Sequence, residues 1–349
     1  MSWLGIEGHD EIVERFRIAL QNGRIGGAYL FTGTPGIGKK SFALRLAQAL
    51  LCEQTSDKEL DACGKCAACQ QVLAESHPDL DIIRKHPDRN IITVDLLIGD
   101  KQHRMREGLC PRIAMKPASG KRKIAIIDDA ELLGIEGANC LLKTLEEPPP
   151  GSVLILIAPS AQTQLATIRS RCQTVRFQPL SAAFLAQRLE QSGVAENHDE
   201  AVALAARCGG SLARTDMMAN PEMGEYRREL ISTLAKDAWN STQLADSIHD
   251  FLKEEKDVPA KRERLRWIID VAIEFYRELL RAVAGLEVSN DALVNENVSR
   301  RSISFVGDQQ SLVECLERCM DTRIQVTANV NLSTCVDAWI DDLAHLARP

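Results

Sequence analysis

The first half of the chain alternates short, unbroken apolar runs with stretches whose apolar residues recur at helical spacing. AYLFTG (Ala28 to Gly33), LDIIRK, KIAIIDDA and SVLILIA each read as a strand bounded by polar residues. Because these runs are continuous rather than alternating, each strand must be covered on both faces. Between the first two, Phe42, Leu46, Ala49 and Leu50 share one helical face. Buried strands alternating with helices predict an α/β domain over residues 1–178, with a mostly parallel sheet and helices on both sides. FQPLS (Phe177 to Ser181) reads as a hinge, and strand signals vanish after it. Residues 179–220 predict a small helical unit ending near GGSLAR. Residues 221–349 predict an all-α domain, clearest in EYRRELISTLAKDA, STQLADSIHDFLKEE and KRERLRWIIDVAIEFYRELLRAVAG.

Composition narrows the function. A chain of 349 residues exceeds one compact core, and 45% apolar residues suffice for several. A net charge of −7 and only 4% aromatic residues weigh against a module that grips nucleic acid by itself, which needs a basic face or stacking platforms. The opening MSWLGIEGHDEIVERF lacks the basic start and apolar run of a secretion signal, and no apolar stretch is long enough to span a bilayer. The expected compartment is the cytoplasm, where thiols stay reduced. The 11 cysteines are therefore read as metal ligands or core residues before disulfides.

GTPGIGKKS (Gly33 to Ser41) follows a strand and opens a helix, the context a phosphate-binding loop requires. Gly33, Thr34, Gly36 and Gly38 would let backbone N–H groups turn inward around phosphates, and Lys39 would reach the outer ones. The next position normally carries the Ser or Thr hydroxyl that binds Mg²⁺. Here it is Lys40, and Ser41 lies a further rotation of about 100° round the helix. In KIAIIDDAELL, Asp128 falls where such enzymes place the carboxylate that holds Mg²⁺. Asp129 stands where a water-orienting Glu is usual, one methylene shorter. A displacement of about 1 Å can cost a hundredfold in rate, so both departures predict a weak or silent ATPase.

Cys52, Cys63, Cys66 and Cys69 have the spacing C-x10-C-x2-C-x2-C. Two thiolates on one tight turn suit tetrahedral zinc, Gly64 relaxes that turn, and four thiolates leave no open coordination position, so the metal would be structural. A redox CxxC pair and buried core cysteines are the rival readings. Cys315 and Cys319 share a helical face with no nearby partner and read as core. In TIRSRCQTVRF, Arg171 sits in a Ser-Arg-Cys triplet after the SVLILIA strand. Without context, an arginine in a loop is a solvated surface residue.

GTPGIGKK, the four-cysteine module, AIIDDAELL, CLLKTLEEPPP and TIRSRC occur in the order seen in the AAA+ subunits of bacterial DNA polymerase III clamp loaders, and the chain resembles that family. The resemblance covers the first 180 residues densely. It extends less specifically through GGSLAR and ANVNLSTCVDAWIDDLAHL. It implies an AAA+ P-loop domain, a helical lid and a helical collar. It also implies that Arg171 projects into a neighbouring subunit's ATP as an arginine finger. The family's motor subunits carry the Ser or Thr and the Glu that this chain lacks, so the resemblance is to a non-motor stator. The motors' lid arginine directly follows a Gly-Ser-Leu string. Here that place is Ala213, with Arg214 one residue later. Implied partners are the gamma/tau motor subunits and the delta subunit in a hetero-pentameric ring, and, through the complex, the sliding clamp and primer-template DNA, with no membrane. Implied cofactors are structural Zn²⁺ and bound ATP or ADP, with Mg²⁺ put in doubt by Lys40. Two other readings stay open: an active motor subunit of the same loader, and a zinc-dependent nucleic-acid binding module.

Overall fold

The continuous apolar runs form one parallel sheet. Its strands are β1 (Ala28–Thr32), β2 (Leu80–Ile83), β3 (Lys123–Ile127), β4 (Ser152–Ala158) and β5 (Gln173–Arg176), in the order β2-β3-β4-β1-β5. A computed structural model describes residues 3–86, 89, 91–118, 121–195, 197–212, 214–215, 220–255, 258–288, 291–305, 309–327 and 330–347. Successive strand side chains point to opposite faces, and the sheet divides its residues accordingly. Tyr29, Phe31, Ile124, Ile126, Val153, Ile155 and Ile157 enter one core, whereas Leu30, Ala125, Ile127, Leu154 and Leu156 enter the other. The first core is covered by α1 (Asp10–Gln21) and α2 (Lys39–Leu51). The four residues expected on one face of α2 lie in or beside it, and Phe42, Leu46, Ala49 and Leu50 are all 0% exposed. Three short helices follow, α3 (Ala67–Leu73), α4 (Val94–Ile98) and α5 (Leu109–Ile113), and then α6 (Ile135–Glu146) and α7 (Ala166–Arg169). The second core lies beneath α4, α5 and α6.

All the ladders are parallel, so the carboxyl ends of β1, β3 and β4 share one edge of the sheet. Open α/β sheets bind ligands at that edge, where the strand order reverses. Here the chain leaves β1 for the far edge, walks back through β3 and β4, and then passes β1 to add β5.

The chain divides into two compact units, Met1–Asp216 and Met217–Pro349. The helical pair that follows the sheet, α8 (Ala182–Gln191) and α9 (His198–Arg207), belongs to the first. Ser181 starts α8 by accepting the Phe184 N–H at 3.2 Å, an ordinary N-cap. The Leu180 N–H donates to the Gly210 carbonyl at 3.1 Å, which ties the end of this pair back to the segment expected to be a hinge.

The second unit is helical throughout its described residues: α10 (Pro221–Leu234), α11 (Ser241–Lys253), α12 (Val258–Val283), α13 (Ala292–Ser304), α14 (Gln309–Thr327) and α15 (Leu332–Leu346). Asn220, Asn240, Asp291 and Asn331 cap four of these helices with side-chain oxygens, and Pro221 occupies the first turn of α10. Leu265, Ile268, Phe275, Val298 and Trp339 centre its core. Cys315 and Cys319 are 0% exposed within it, core residues as expected. Among the described residues no helix is long and apolar enough to cross a membrane.

Candidate functional site

The loop Gly33–Gly38 joins the carboxyl end of β1 to the first turn of α2. Gly36 and Gly38 have φ of +78° and +93°, and Gly33 has φ of +150° with no room for a Cβ, which would meet the Phe177 carbonyl at 2.7 Å. Only glycine tolerates both demands. The loop is propped from beneath. His9, itself buried, donates from Nε2 to the Ile37 carbonyl at 2.9 Å and packs edge-on against Phe177. Nothing in the sequence singles out His9 for this.

Lys39 is only 7% exposed, and its Nζ donates to the carbonyls of Gly33 (2.5 Å) and Thr34 (2.9 Å). Burial pulls its pKa below the usual lysine range, against the opposing pull of Glu131, Asp128 and Asp129. Lys40 turns the other way: its Nζ lies 3.1 Å from Oδ2 of Asp128, which stands just beyond the end of β3. Asp129 is exposed and left-handed, with φ of +51°. Ser41 is exposed. Thus Lys39, Lys40 and Asp128 meet at the carboxyl edge of the sheet.

Sequence reasoning missed Glu131. Burial pushes its carboxyl up to about 7, with Asp129 and Asp128 adding in the same direction and Lys39 opposing them. Its Oε2 is buried with no hydrogen-bond partner among the described residues. The only available signal was its place two residues beyond Asp129.

The residues fit a nucleotide's phosphates but not Mg²⁺. The glycine loop, the start of α2 and Lys39 form a phosphate cradle. The carboxylate oxygen that would hold the metal already faces an ammonium group, and Lys40 stands in the position that normally supplies the hydroxyl.

At the far end of α2, Cys52 begins the cysteine module. The Sγ atoms of Cys52, Cys63, Cys66 and Cys69 all lie within 4.8 Å of one another. Cys52–Cys66 and Cys63–Cys69 are 4.0 and 3.9 Å apart, close to the edge of about 3.8 Å expected of a tetrahedron with Zn–S bonds near 2.3 Å. The N–H groups of Cys63, Cys66 and Cys69 donate to the sulfurs of Cys52 (3.4 Å), Cys63 (3.3 Å) and Cys66 (3.4 Å), which suits thiolate rather than thiol. Burial opposes ionisation at Cys52, yet the amides of Cys63, Gln54 and Thr55 bring its thiol down to about 6. Gly64 supplies the turn with φ of +69°. The donor set and spacing fit a closed zinc site. Lys121 binds the carbonyl of Cys52, Arg122 pairs with Asp57 at 2.8 Å, and the Trp3 indole donates to the Leu60 carbonyl at 2.7 Å. These contacts tie the module to the body of the domain.

Arg171 lies between α7 and β5, and its partners do not include the P-loop residues. Its Nε donates to Oε1 of Glu146 at 2.8 Å, Nη2 reaches the same oxygen, and Nη1 donates to the Thr167 carbonyl (3.0 Å) and to Ser170 Oγ (3.2 Å). Glu146, at the end of α6, is a further residue that sequence reasoning missed. The neighbouring Cys172 is buried, with its thiol pushed up to about 12. Arg214 follows the α8–α9 pair, and its backbone N–H donates to Ser211 Oγ at 3.4 Å. Ala213, the position aligned with the motors' lid arginine, lies outside the described residues.

A family model described as "DNA polymerase III, delta subunit" matches residues 8–181. The chain is 26% identical to DNA polymerase III subunit delta′ of Bacillus subtilis (strain 168) over 324 residues, which is 90% of this chain and 89% of that one. The chain belongs to the DNA polymerase III clamp-loader family. It is also 32% identical to subunit delta′ of Pseudomonas aeruginosa over 233 residues, covering 62% of this chain and 66% of that one. It is 29% identical to subunit tau of Bacillus subtilis (strain 168) over 337 residues, or 89% of this chain and 56% of that longer one. The resemblance drawn from the motifs, to delta′ clamp-loader subunits, is borne out.

Proposed function

We propose that this clamp-loader protein is the non-motor, delta′-type subunit of its loader. It acts as a stator within a hetero-pentameric ring of gamma/tau and delta subunits that places a sliding clamp on primer-template DNA. One observation carries the reading: the Lys40 ammonium lies 3.1 Å from the Asp128 carboxylate. A motor keeps that carboxylate for Mg²⁺. Here a fixed cation opposes it, and Asp129 replaces the water-orienting Glu. The same pairing counts against the motor reading, although the likeness extends to tau.

In this reading the chain's own loop retains nucleotide without turning it over. Its catalytic contribution is Arg171, lent in trans to the ATP of an adjacent motor, where a guanidinium stabilises charge on the transferring phosphate. Residues 179–220 serve as the lid and 221–349 as the collar through which the ring assembles. Arg214 has no assigned role at the nucleotide. Cys52, Cys63, Cys66 and Cys69 hold one structural zinc.

The test is the steady-state ATPase of the purified chain alone and in the reconstituted loader. The lone chain is expected to be inactive. Turnover of about 1 per second or faster, abolished by Lys39→Ala, would make it a motor instead.

A further inference from the structure

The P-loop holds more positive charge than a metal-using site should. Lys39 Nζ is within reach of the loop interior, and Lys40 Nζ stands at Asp128 Oδ2 with side chains 38% and 18% exposed respectively. A divalent ion brought to Asp128 would meet the Lys40 ammonium, and it would find one of the carboxylate's oxygens already engaged. Ser41, one residue further along α2, is exposed and is rotated about 100° from the position that normally supplies the metal-binding hydroxyl. A polyphosphate chain still needs its charge neutralised. Two ammonium groups and the amino end of α2 supply that without a metal. An ammonium has three donors, so Lys40 can keep Asp128 and still donate to phosphate oxygens.

We propose that this P-loop selects nucleoside di- or triphosphate in its metal-free form, with the Lys40 ammonium taking the place of Mg²⁺. Lys40 is then a specificity-determining residue, and the Asp128 carboxylate competes with phosphate for its charge rather than holding a metal. The inference rests on reading Gly33–Ser41 as a phosphate loop and is independent of whether Arg171 acts in trans.

The experiment titrates the full-length, zinc-loaded chain with ATP and with ADP by calorimetry, once in chelator-free buffer from which divalent cations have been removed beforehand and once with excess MgCl₂. Binding is expected to be tighter without Mg²⁺ by about tenfold, a difference of about 1.4 kcal/mol, because the Mg²⁺ complex must shed its ion. Lys40→Ser should weaken binding without Mg²⁺ and reverse the preference toward Mg²⁺, with zinc content and circular dichroism confirming the fold. Asp128→Asn, which frees the ammonium without removing it, should tighten binding without Mg²⁺. Wild-type binding that requires Mg²⁺, no binding in either condition, an unchanged preference in Lys40→Ser, or weaker binding in Asp128→Asn would each overturn the proposal. The stator reading is judged separately, by the ATPase of the lone chain and by Arg171 substitutions in the assembled loader.

Discussion

Helix α2 has a candidate cation site at each end, and the two differ in what already faces the ligands. At its amino end the backbone geometry of a phosphate loop is intact, with φ of +78° at Gly36 and +93° at Gly38. Yet the metal-binding carboxylate there is matched by the Lys40 ammonium at 3.1 Å. At its carboxyl end four sulfurs converge within 4.8 Å, and the nearby cation, Lys121, binds the carbonyl of Cys52 rather than a thiolate. Backbone shape alone would assign a metal to both ends. The position of the protein's own charges separates them: the carboxylate is already paired with an ammonium, whereas the sulfurs of Cys52, Cys63 and Cys66 accept hydrogen bonds from backbone N–H groups, which leaves the set suited to a cation.

The largest expected effect tests the carboxyl end. Structural zinc binds zinc-finger peptides with about 10–16 kcal/mol at neutral pH, and that energy is folding energy. Cys66→Ser should therefore abolish stoichiometric zinc and unfold the module around Cys52–Cys69. The helical unit Met217–Pro349 has its own core and should keep it. Metal analysis and thermal melts followed by circular dichroism check both statements. A wild-type chain purified without zinc would break the comparison at once.

Next in size is Arg171→Ala. An arginine finger is worth roughly 10³–10⁵ in rate at the site it serves, but only one site of the ring would borrow this one. DNA- and clamp-stimulated ATPase of the reconstituted loader should fall partially, with zinc content and ring assembly unchanged. Arg171→Lys should not restore it fully, because lysine lacks the planar fork that meets two phosphate oxygens. Equal turnover with mutant and wild-type chain would leave Arg171 a surface residue.

How far the sequence foretold these sites follows from which interactions are local. β1, β3 and β4 were visible because both faces of the sheet are covered, which forces the continuous runs AYLFT, KIAII and SVLILIA. The loop glycines and the cysteine spacing were visible because their geometry is set within a few residues. The anomaly at Lys40 was visible as a missing hydroxyl, but its pairing with Asp128 was not. That contact depends on the strand order, which leaves only β4 between β3 and β1. The same reason hid His9 beneath Ile37 and Glu146 beside Arg171. The burial of Glu131 depends on how its turn packs, and no spacing rule encodes it.

Glu131 offers a medium-sized test of the amino end. Its carboxyl, ordinarily near 4.5, is raised to about 7 by burial. The folded chain therefore binds a proton more tightly than the unfolded one between those pH values. Stability should be greatest below pH 4.5 as far as this group is concerned, and should decline as pH rises to about 7. Glu131 is partly exposed, so after solvent screening the penalty above neutral pH is on the order of 1–2 kcal/mol. Glu131→Gln should recover that amount at pH 8 and almost nothing at pH 4.5, read from denaturant midpoints. A variant equally stabilised at both pH values would mean that packing rather than charge sets the difference.

The smallest effect concerns how Glu146 would restrain Arg171 in the proposed finger role. Glu146 engages both Nε and Nη2 through one oxygen. Because Glu146 is exposed, such a pair contributes about 0–1 kcal/mol. A finger that must reach a neighbour's phosphate has to leave this carboxylate, since one guanidinium edge cannot serve both anions. Glu146→Gln weakens the tether and leaves the side-chain shape almost unchanged. Loader ATPase should therefore rise, by no more than about fivefold given the upper limit of the pair's energy. Chain stability should change by no more than about 1 kcal/mol. The rise should vanish in Glu146→Gln combined with Arg171→Ala, because the glutamate then has nothing to restrain. A fall in ATPase in the single mutant would show the opposite arrangement, in which Glu146 aims the arginine and its loss lets the side chain wander.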